Sequence, residues 1–112
     1  MDILSTTRNV AMSPKKVRQV TRQIVGLPAL EAKNALDAMP RKSSHWVAKT
    51  LRSAMANAEN NNQISPASLR VKEASVGDAM SMKRWMTRAR GSADTIIKRR
   101  CHIRIVLTDT EK

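Results

Sequence analysis

The sequence predicts an α+β fold, in which three helices pack on a small antiparallel three-stranded sheet that carries a long, extended, basic β-hairpin. Apolar residues recur at helical spacing between residues 13 and 63, and at a spacing of two from residue 69 onward. Residues 82–104 contain eight Lys or Arg and one acid around the turn-prone Arg90-Gly91-Ser92. At 112 residues, the chain has the length of a single domain. We expect a globular body at residues 1–76 and 103–112, and a hairpin arm at about residues 77–102.

A short strand at residues 3–10 is expected to precede the first helix. Ser13-Pro14 predicts the helix start, with the serine hydroxyl as the cap and the proline in the first turn. Gly26 is the expected C-terminal cap. The apolar positions follow helical spacing, and basic residues occupy much of the remaining surface, which predicts an amphipathic helix with a basic face.

Two further helices are predicted before the sheet. Pro28 opens the second helix and Pro40 ends it. The third and longest helix is expected near residues 43–59, where apolar side chains fall on one side. The side chains predicted to face the core from this helix are Val47, Leu51, Ala54, Met55 and Ala58.

The strand that begins at Leu69 contains a change of phase. Leu69 and Val71 alternate with charged residues, and the apolar positions then move to Ala74 and Val76. This shift predicts a β-bulge near Glu73. Beyond the basic turn, a last strand is predicted from the alternation of Ile103, Ile105 and Leu107 with other side chains.

The charge indicates a polyanionic partner. The chain has 21 Lys or Arg against nine Asp or Glu, a net charge of +12. If each strand of the hairpin runs about 12–18 residues at ~3.3 Å per residue, the tip reaches roughly 40–60 Å. Arg predominates there, which favours bidentate phosphate contacts and base stacking. A merely solvated charged surface is the alternative interpretation.

Enzymatic and metal-binding functions are not supported by the residue types present. The single cysteine, Cys101, excludes an internal disulfide and a multi-cysteine zinc site. Its neighbour His102 is expected on the opposite face of the strand, where packing or a phosphate contact suffices. No nucleophile motif or glycine-rich phosphate loop occurs, so we expect no enzyme, no metal, no cofactor and no small-molecule substrate. No apolar segment approaches the ~20 residues of a membrane span, and we expect a cytoplasmic or organellar-matrix protein with no membrane partner.

The two tryptophans allow different interpretations. Trp85 lies in the basic segment among methionines, where it could stack on a base, line a passage or stiffen the ribbon. Trp46 on the third helix is expected to pack against the body.

The segment SMKRWMTRARGSADTIIKRRCHIRIVLTD resembles the large-subunit ribosomal protein family numbered twenty-two in the bacterial scheme. SPKKVRQV resembles the start of the family's first helix, and SAMANAENN resembles the end of its long helix. The resemblance extends from about Arg8 to Asp109. It departs at Thr87, where the family often has proline, and at Ser92, where arginine is frequent.

The resemblance implies a structural constituent of the large ribosomal subunit that binds large-subunit ribosomal RNA and supports assembly. It implies neighbouring ribosomal proteins as partners, and a hairpin tip that forms part of the wall of the nascent-polypeptide exit tunnel. Carried onto this chain, the tunnel-lining candidates are Lys83, Arg84, Trp85, Arg88, Ala89, Arg90, Gly91 and Ser92. The RNA-binding candidates are Arg8, Ser13, Lys15, Lys16, Arg18, Lys83, Arg84, Arg88, Arg90, Lys98, Arg99, Arg100 and His102.

The residues alone leave a second function open, an architectural DNA-binding protein that uses a basic β-arm. Such arms commonly insert an apolar wedge between base steps. Residues 83–92 contain no Ile, Leu, Phe or Pro, but Trp85 and Met86 could serve as the wedge. A membrane-surface protein would need a broad apolar helix face, and these short, alanine-rich helices do not provide one.

Overall fold

A computed structural model of the chain describes residues 2–87 and 89–109, and it confirms the α+β prediction. Residues 110–112 and the candidate Arg88 lie outside the described residues. The elements, in order, are β1 (Asp2–Val10), α1 (Pro14–Ile24), α2 (Ala29–Ala38), α3 (Lys42–Asn62), β2 (Leu69–Asp78), β3 (Met82–Thr87), β4 (Ala93–Lys98) and β5 (Cys101–Asp109). Single turns of 3-10 helix lie at Pro66–Ser68 and Ala89–Gly91.

The body sheet has the order β1-β5-β2, and β5 is antiparallel to both neighbours. The helices cover one face of this sheet. The β5 side chains Ile103 and Ile105 are fully buried beneath the helices. Arg104, which lies between them in sequence, is exposed on the other face of the sheet. The core joins this sheet face to the apolar sides of the helices, and it includes Cys101, Ile103, Ile105, Leu107, Val17, Val20, Val47 and Leu51.

The prediction that the Ser13 hydroxyl caps α1 is wrong. Ser13 precedes the helix, but its side chain makes no capping hydrogen bond. Its backbone carbonyl accepts from the N–H groups of Lys16 (3.1 Å) and Val17 (3.3 Å) instead. Pro14 provides a first helical residue that has no N–H to satisfy. The Ser13 hydroxyl is therefore available to other partners.

Gly26 forms a turn after α1 rather than a cap on its last residue. The helix ends at Ile24, Val25 is extended, and Gly26 has φ 88°. The Leu27 N–H donates to the Ile24 carbonyl at 3.2 Å, which completes a type II turn. The N–H of Gly26 also donates to the Val71 carbonyl at 2.9 Å, so the turn is hydrogen-bonded to β2.

The third helix is longer than predicted because the asparagine run continues it. It extends through Asn62, and the N–H of Gln63 donates to the Ala58 carbonyl. The left-handed backbone of Gln63 (φ 55°) then directs the N–H of Ile64 to the same carbonyl at 3.0 Å. All five side chains predicted to face the core from this helix are buried. Trp46 packs partly buried against the core, as expected, with Lys49 Nζ 5.6 Å from the centre of its ring.

The predicted bulge in β2 is confirmed. Val71 pairs with Leu107 and Glu73 with Val106, so Lys72 is the extra residue. On the helix-free face, Lys72 Nζ reaches across the central strand to Asp2 Oδ2 at 2.8 Å. This ion pair and a hydrogen bond from Lys72 lower the pKa of the Asp2 carboxyl.

The basic hairpin ends in a two-stranded ribbon, β3 and β4 with their connecting turn, which we call the outer ribbon. Six residue pairs run from Met82↔Lys98 to Thr87↔Ala93. The turn lies where predicted, with Gly91 at φ 75°. The paired strands are shorter than the predicted 12–18 residues, because β2 and β5 pair within the body sheet up to Asp78↔Cys101. The molecule measures 66 × 25 × 18 Å.

Candidate nucleic-acid interface

A cleft of about 620 Å³ separates the starts of α1 and α3 from the root of the outer ribbon. We call it the basic groove. Its wall on the body side comes from the loop before α1 and from the first residues of both helices. Its other wall comes from the start of β3 and the end of β4. The groove is lined by Ala11, Met12, Ser13, Lys16, Lys42, Met82, Ile97, Lys98, Arg99 and Arg100.

Packing of α1 against α3 brings together basic residues that are distant in sequence. Arg41 Nη1 donates to Gln19 Oε1 at 2.6 Å, which ties the start of α3 to the exposed side of α1. Lys15, Lys16 and Lys42 consequently line one neighbouring cleft. Arg41 and Lys42 were not predicted from the sequence as binding residues. The available signal was the basic pair directly after Pro40, at the expected start of a helix.

The groove concentrates positive charge without a compensating acid. Five cationic side chains line it, and no carboxylate does among the described residues. Neither α1 nor α3 has an acidic residue in its first turn, and neither has a side-chain cap, so unsatisfied backbone N–H groups add to the positive potential. Asp78 lines an adjoining hollow together with Arg99 and Arg100. A chain of phosphates matches this arrangement in charge and in hydrogen-bonding type.

Arg18 is held by the body. Its Nη2 donates to the Val76 carbonyl at 3.0 Å and lies 3.7 Å from Asp78 Oδ1. These contacts join α1 to the end of β2. RNA binding by Arg18 stays a prediction. In the structure, its guanidinium makes contacts that stabilise the fold.

The candidate tip residues that the structure describes are all exposed on the outer ribbon. Strand alternation places Trp85 on one face with Lys83 and Thr87, diagonal to Ile97 on the partner strand. The Trp85 side chain is 77% exposed, so it does not stiffen the ribbon by burial. Its indole is therefore accessible to a binding partner. The paired residues of the outer ribbon include one acid, Asp94.

Cys101 and His102 diverge as predicted. The Cys101 thiol is fully buried, and burial raises its pKa, so it is a packing residue rather than a nucleophile. Within residues 2–87 and 89–109, no cluster of three His, Cys, Asp or Glu side chains could hold a metal ion. No helix in this part of the chain is long and apolar enough to cross a membrane. Arg8 and His102 lie together on the helix-free face of the sheet, away from the basic groove.

The amino-acid sequence is similar to those of known proteins along nearly its whole length. The family model described as ribosomal protein L22p/L17e matches residues 5–108. The chain is 50% identical over 109 residues to the large ribosomal subunit protein uL22 of Opitutus terrae, covering 97% of this chain and 96% of that protein. The proteins of the same name from Akkermansia muciniphila and Herpetosiphon aurantiacus are 41% and 40% identical over 111 residues. Those alignments cover 99% of this chain in both cases, and 99% and 98% of the relatives.

These matches run through both helical and hairpin segments, which excludes a chance likeness of basic composition. The chain therefore belongs to the ribosomal protein L22p/L17e family and is a structural ribosomal protein, not an enzyme.

Proposed function

We propose that this protein, a structural constituent of the large ribosomal subunit, binds large-subunit ribosomal RNA through the basic groove and the outer ribbon. The observation that supports this most directly is the groove itself, where Lys16, Lys42, Lys98, Arg99 and Arg100 converge. Two of these come from helices and three from the root of the ribbon. A phosphate backbone in the groove would contact the body and the arm at once and fix their relative orientation.

We propose a division of labour between the body, residues 1–76 and 103–112, and the hairpin arm, residues 77–102. The body packs against RNA and neighbouring ribosomal proteins, and the arm runs on between RNA segments. The outer ribbon supports this role, because nearly all its side chains are exposed and it has little core of its own. RNA on both sides would supply the contacts that the isolated ribbon lacks, and the protein would in turn support assembly of the subunit.

The tip of the arm is our candidate for contact with the nascent polypeptide. The turn at Ala89–Gly91 and Ser92 are exposed at the end of the ribbon, whereas the candidates Lys83 and Arg84 are exposed near its root, with Trp85 between the two. A tunnel wall needs side chains that do not bind a passing chain tightly, and a narrow ribbon tip of this kind presents little continuous apolar surface. Trp85 would stack on an RNA base or line the passage. The family resemblance, rather than the geometry alone, supports the tunnel assignment.

Sedimentation of a cell lysate through a sucrose gradient in moderate salt tests the proposal. We expect the protein to migrate with the large subunit and to remain bound to it in salt that removes peripheral factors. The ribosomes concerned would be those of the cytoplasm or of an organelle matrix. Migration at the top of the gradient, or with chromosomal DNA, would contradict it. The latter result would favour the architectural DNA-binding alternative.

The same gradient separates binding residues from tip residues. Arg90→Ala at the tip should reduce incorporation far less than loss of the groove charges, because Arg90 does not line the basic groove and lies beyond the last strand pair, Thr87↔Ala93. A variant of the groove, Lys98→Gln/Arg99→Gln/Arg100→Gln, should shift protein from the subunit to the top of the gradient. Equal incorporation of both variants would argue against the basic groove as the RNA-binding surface.

A further inference from the structure

The two outer strands of the body sheet differ in how their free edges are covered. The turn after α1 covers the edge of β2, because the Gly26 N–H donates to the Val71 carbonyl and the Val71 N–H donates to the Leu27 carbonyl, both at 2.9 Å. Among the described residues, no backbone hydrogen bond leads from residues 2–7 of β1 away from the sheet. The edge of β1 therefore offers its outward N–H and C=O groups to another strand.

The edge of β1 also lacks the features that usually prevent strand pairing. It contains neither proline nor lysine, the two residues that most often protect an exposed edge. Its pairing with β5 is regular from Asp2 to Thr7, and the irregularity at Arg8 and Asn9 comes only after that segment. The segment 3–7 is rich in β-branched side chains, which favour extended backbone. An added strand therefore meets a regular, uncovered edge.

The sequence of β1 is complementary to itself when two copies run antiparallel. A pairing centred on Ser5 places Asp2 of each copy opposite Arg8 of the other, and Leu4 opposite Thr6. These four side chains are exposed and alternate with the buried ones, so they share the helix-free face. A two-fold interface repeats every contact, so the Asp–Arg pair occurs twice. Leu4, which is 49% exposed, lies diagonally across the axis from Leu4 of the second copy.

This arrangement keeps the most basic parts of the two copies apart. β1 ends at Val10, which pairs with Cys101 at the root of the hairpin arm. Antiparallel pairing turns the second copy by half a turn about Ser5, so the two arms leave from opposite ends of the joined sheet. At about 0.15 M salt, charges more than ~8 Å apart are largely screened. The net charge of +12 on each copy then does not prevent contact at β1.

We propose that the free protein forms a two-fold symmetric dimer through antiparallel pairing of its β1 strands, which joins two three-stranded sheets into one. The partner is a second copy of this chain, selected by the Asp2–Arg8 and Leu4–Leu4 contacts. Lys72 Nζ, 2.8 Å from Asp2 Oδ2, holds the carboxylate over the helix-free face. The interface does not depend on RNA binding and goes beyond the proposed function.

Analytical ultracentrifugation of the full chain at increasing concentration, in about 0.15 M salt, tests the dimer. We expect wild type to dimerise, and Arg8→Asp and Asp2→Arg each to weaken dimerisation by about 10- to 100-fold, because both symmetric pairs then join like charges. An equimolar mixture of the two variants should dimerise again, since each mixed pair joins opposite charges. This restoration would also show that both variants fold.

Lys72→Gln is the matched control. It removes the partner of Asp2 within one copy and leaves the Asp2 and Arg8 side chains that face the second copy. Dimerisation should therefore persist in this variant. Equal weakening by Lys72→Gln and by the two charge reversals would overturn the proposal. A mixture of the charge-reversed variants that dimerises no better than either alone would also overturn it.

Amide hydrogen exchange locates the interface. In wild type, alternate amide protons of residues 2–8 should become more protected as the protein concentration rises, whereas in Arg8→Asp they should not. A dimer without this added protection would overturn the proposal, because the copies would then pair elsewhere. Wild type that stays monomeric at every concentration would overturn it as well, and would leave the β1 edge to an extended segment of another protein.

Discussion

Removal of two arginines at the root of the outer ribbon gives a quantitative test of the basic groove. The variant is Arg99→Gln/Arg100→Gln. Arg99 is exposed, Arg100 is half-buried, and both line the groove. Neither guanidinium is in a hydrogen bond or ion pair among the described residues, so the substitutions should leave the fold intact. Glutamine keeps a long polar side chain and removes only the charge.

The expected magnitude follows from the number of charges removed. If each arginine contacts one phosphate, the log–log salt slope falls by about 1.4–1.8 in total. With 1 M salt as the reference at which these contacts contribute nothing, that slope corresponds to a loss of affinity of about 14- to 30-fold at 0.15 M salt. At higher salt the difference should shrink, because wild type and variant converge as the counterion effect disappears.

Filter binding or fluorescence anisotropy with large-subunit ribosomal RNA, at four or more salt concentrations, measures both quantities. Arg52→Gln/Arg70→Gln serves as the control, because it produces the same change of net charge outside the groove. If the variant had the same log–log salt slope as the wild type, the reasoning would be refuted, even if the affinity of the variant were lower. Such a result would mean that Arg99 and Arg100 contact no phosphate.

Trp85→Ala should weaken RNA binding by about 1–3 kcal/mol if the indole stacks on one base, without a loss of stability, since the side chain is 77% exposed. In a Trp46→Phe background, RNA should quench the remaining tryptophan fluorescence; unchanged fluorescence and affinity would contradict stacking. Leu51→Ala, at a fully buried position, should lower the free energy of unfolding by about 2–5 kcal/mol in urea titrations, and a loss below about 1 kcal/mol would show a poorly packed site. Gly26→Ala should cost about 1–2 kcal/mol in the same assay, because alanine must adopt φ 88°, and an unchanged midpoint would refute this. Amide protons of residues 83–98 should exchange freely in the isolated protein and become protected on RNA, because the ribbon has few buried side chains; strong protection without RNA would contradict this.

The local features of the fold were predictable from the sequence because their causes are local. The phase shift between Val71 and Ala74 predicted the bulge, which the pairing places at Lys72. The apolar stripe of α3 predicted its buried side correctly. The order β1-β5-β2 was not predicted, because pairing between the first and last strands depends on contacts about a hundred residues apart. The length of the arm was overestimated for a related reason, since period-two sequence does not distinguish body strands from ribbon strands.

The candidate site was predictable only where its residues are contiguous. Lys98, Arg99 and Arg100 were identified from a single basic segment, whereas Lys15 and Lys16 became candidates through the family resemblance. Lys42 was missed, because only the packing of α1 against α3 brings it to the groove. That Arg8 and Arg104 line one hollow was likewise not predictable, since the irregularity in β1 and its register with β5 bring them together. Sequence periodicity identifies faces of elements, whereas sites that span elements require the tertiary arrangement.

Among the described elements, the central strand of the body sheet, β5, comes last in the chain. β1 and β2 do not pair with each other. Both pair with β5, which ends at Asp109. During translation, β1 and β2 therefore lack the strand with which both pair until residues 101–109 have emerged. Completion of the sheet is a late and cooperative event, with the slow kinetics expected of pairing over long sequence separations. The basic strands β3 and β4 are synthesised before β5, so a nascent copy presents their positive charge before its body sheet can close.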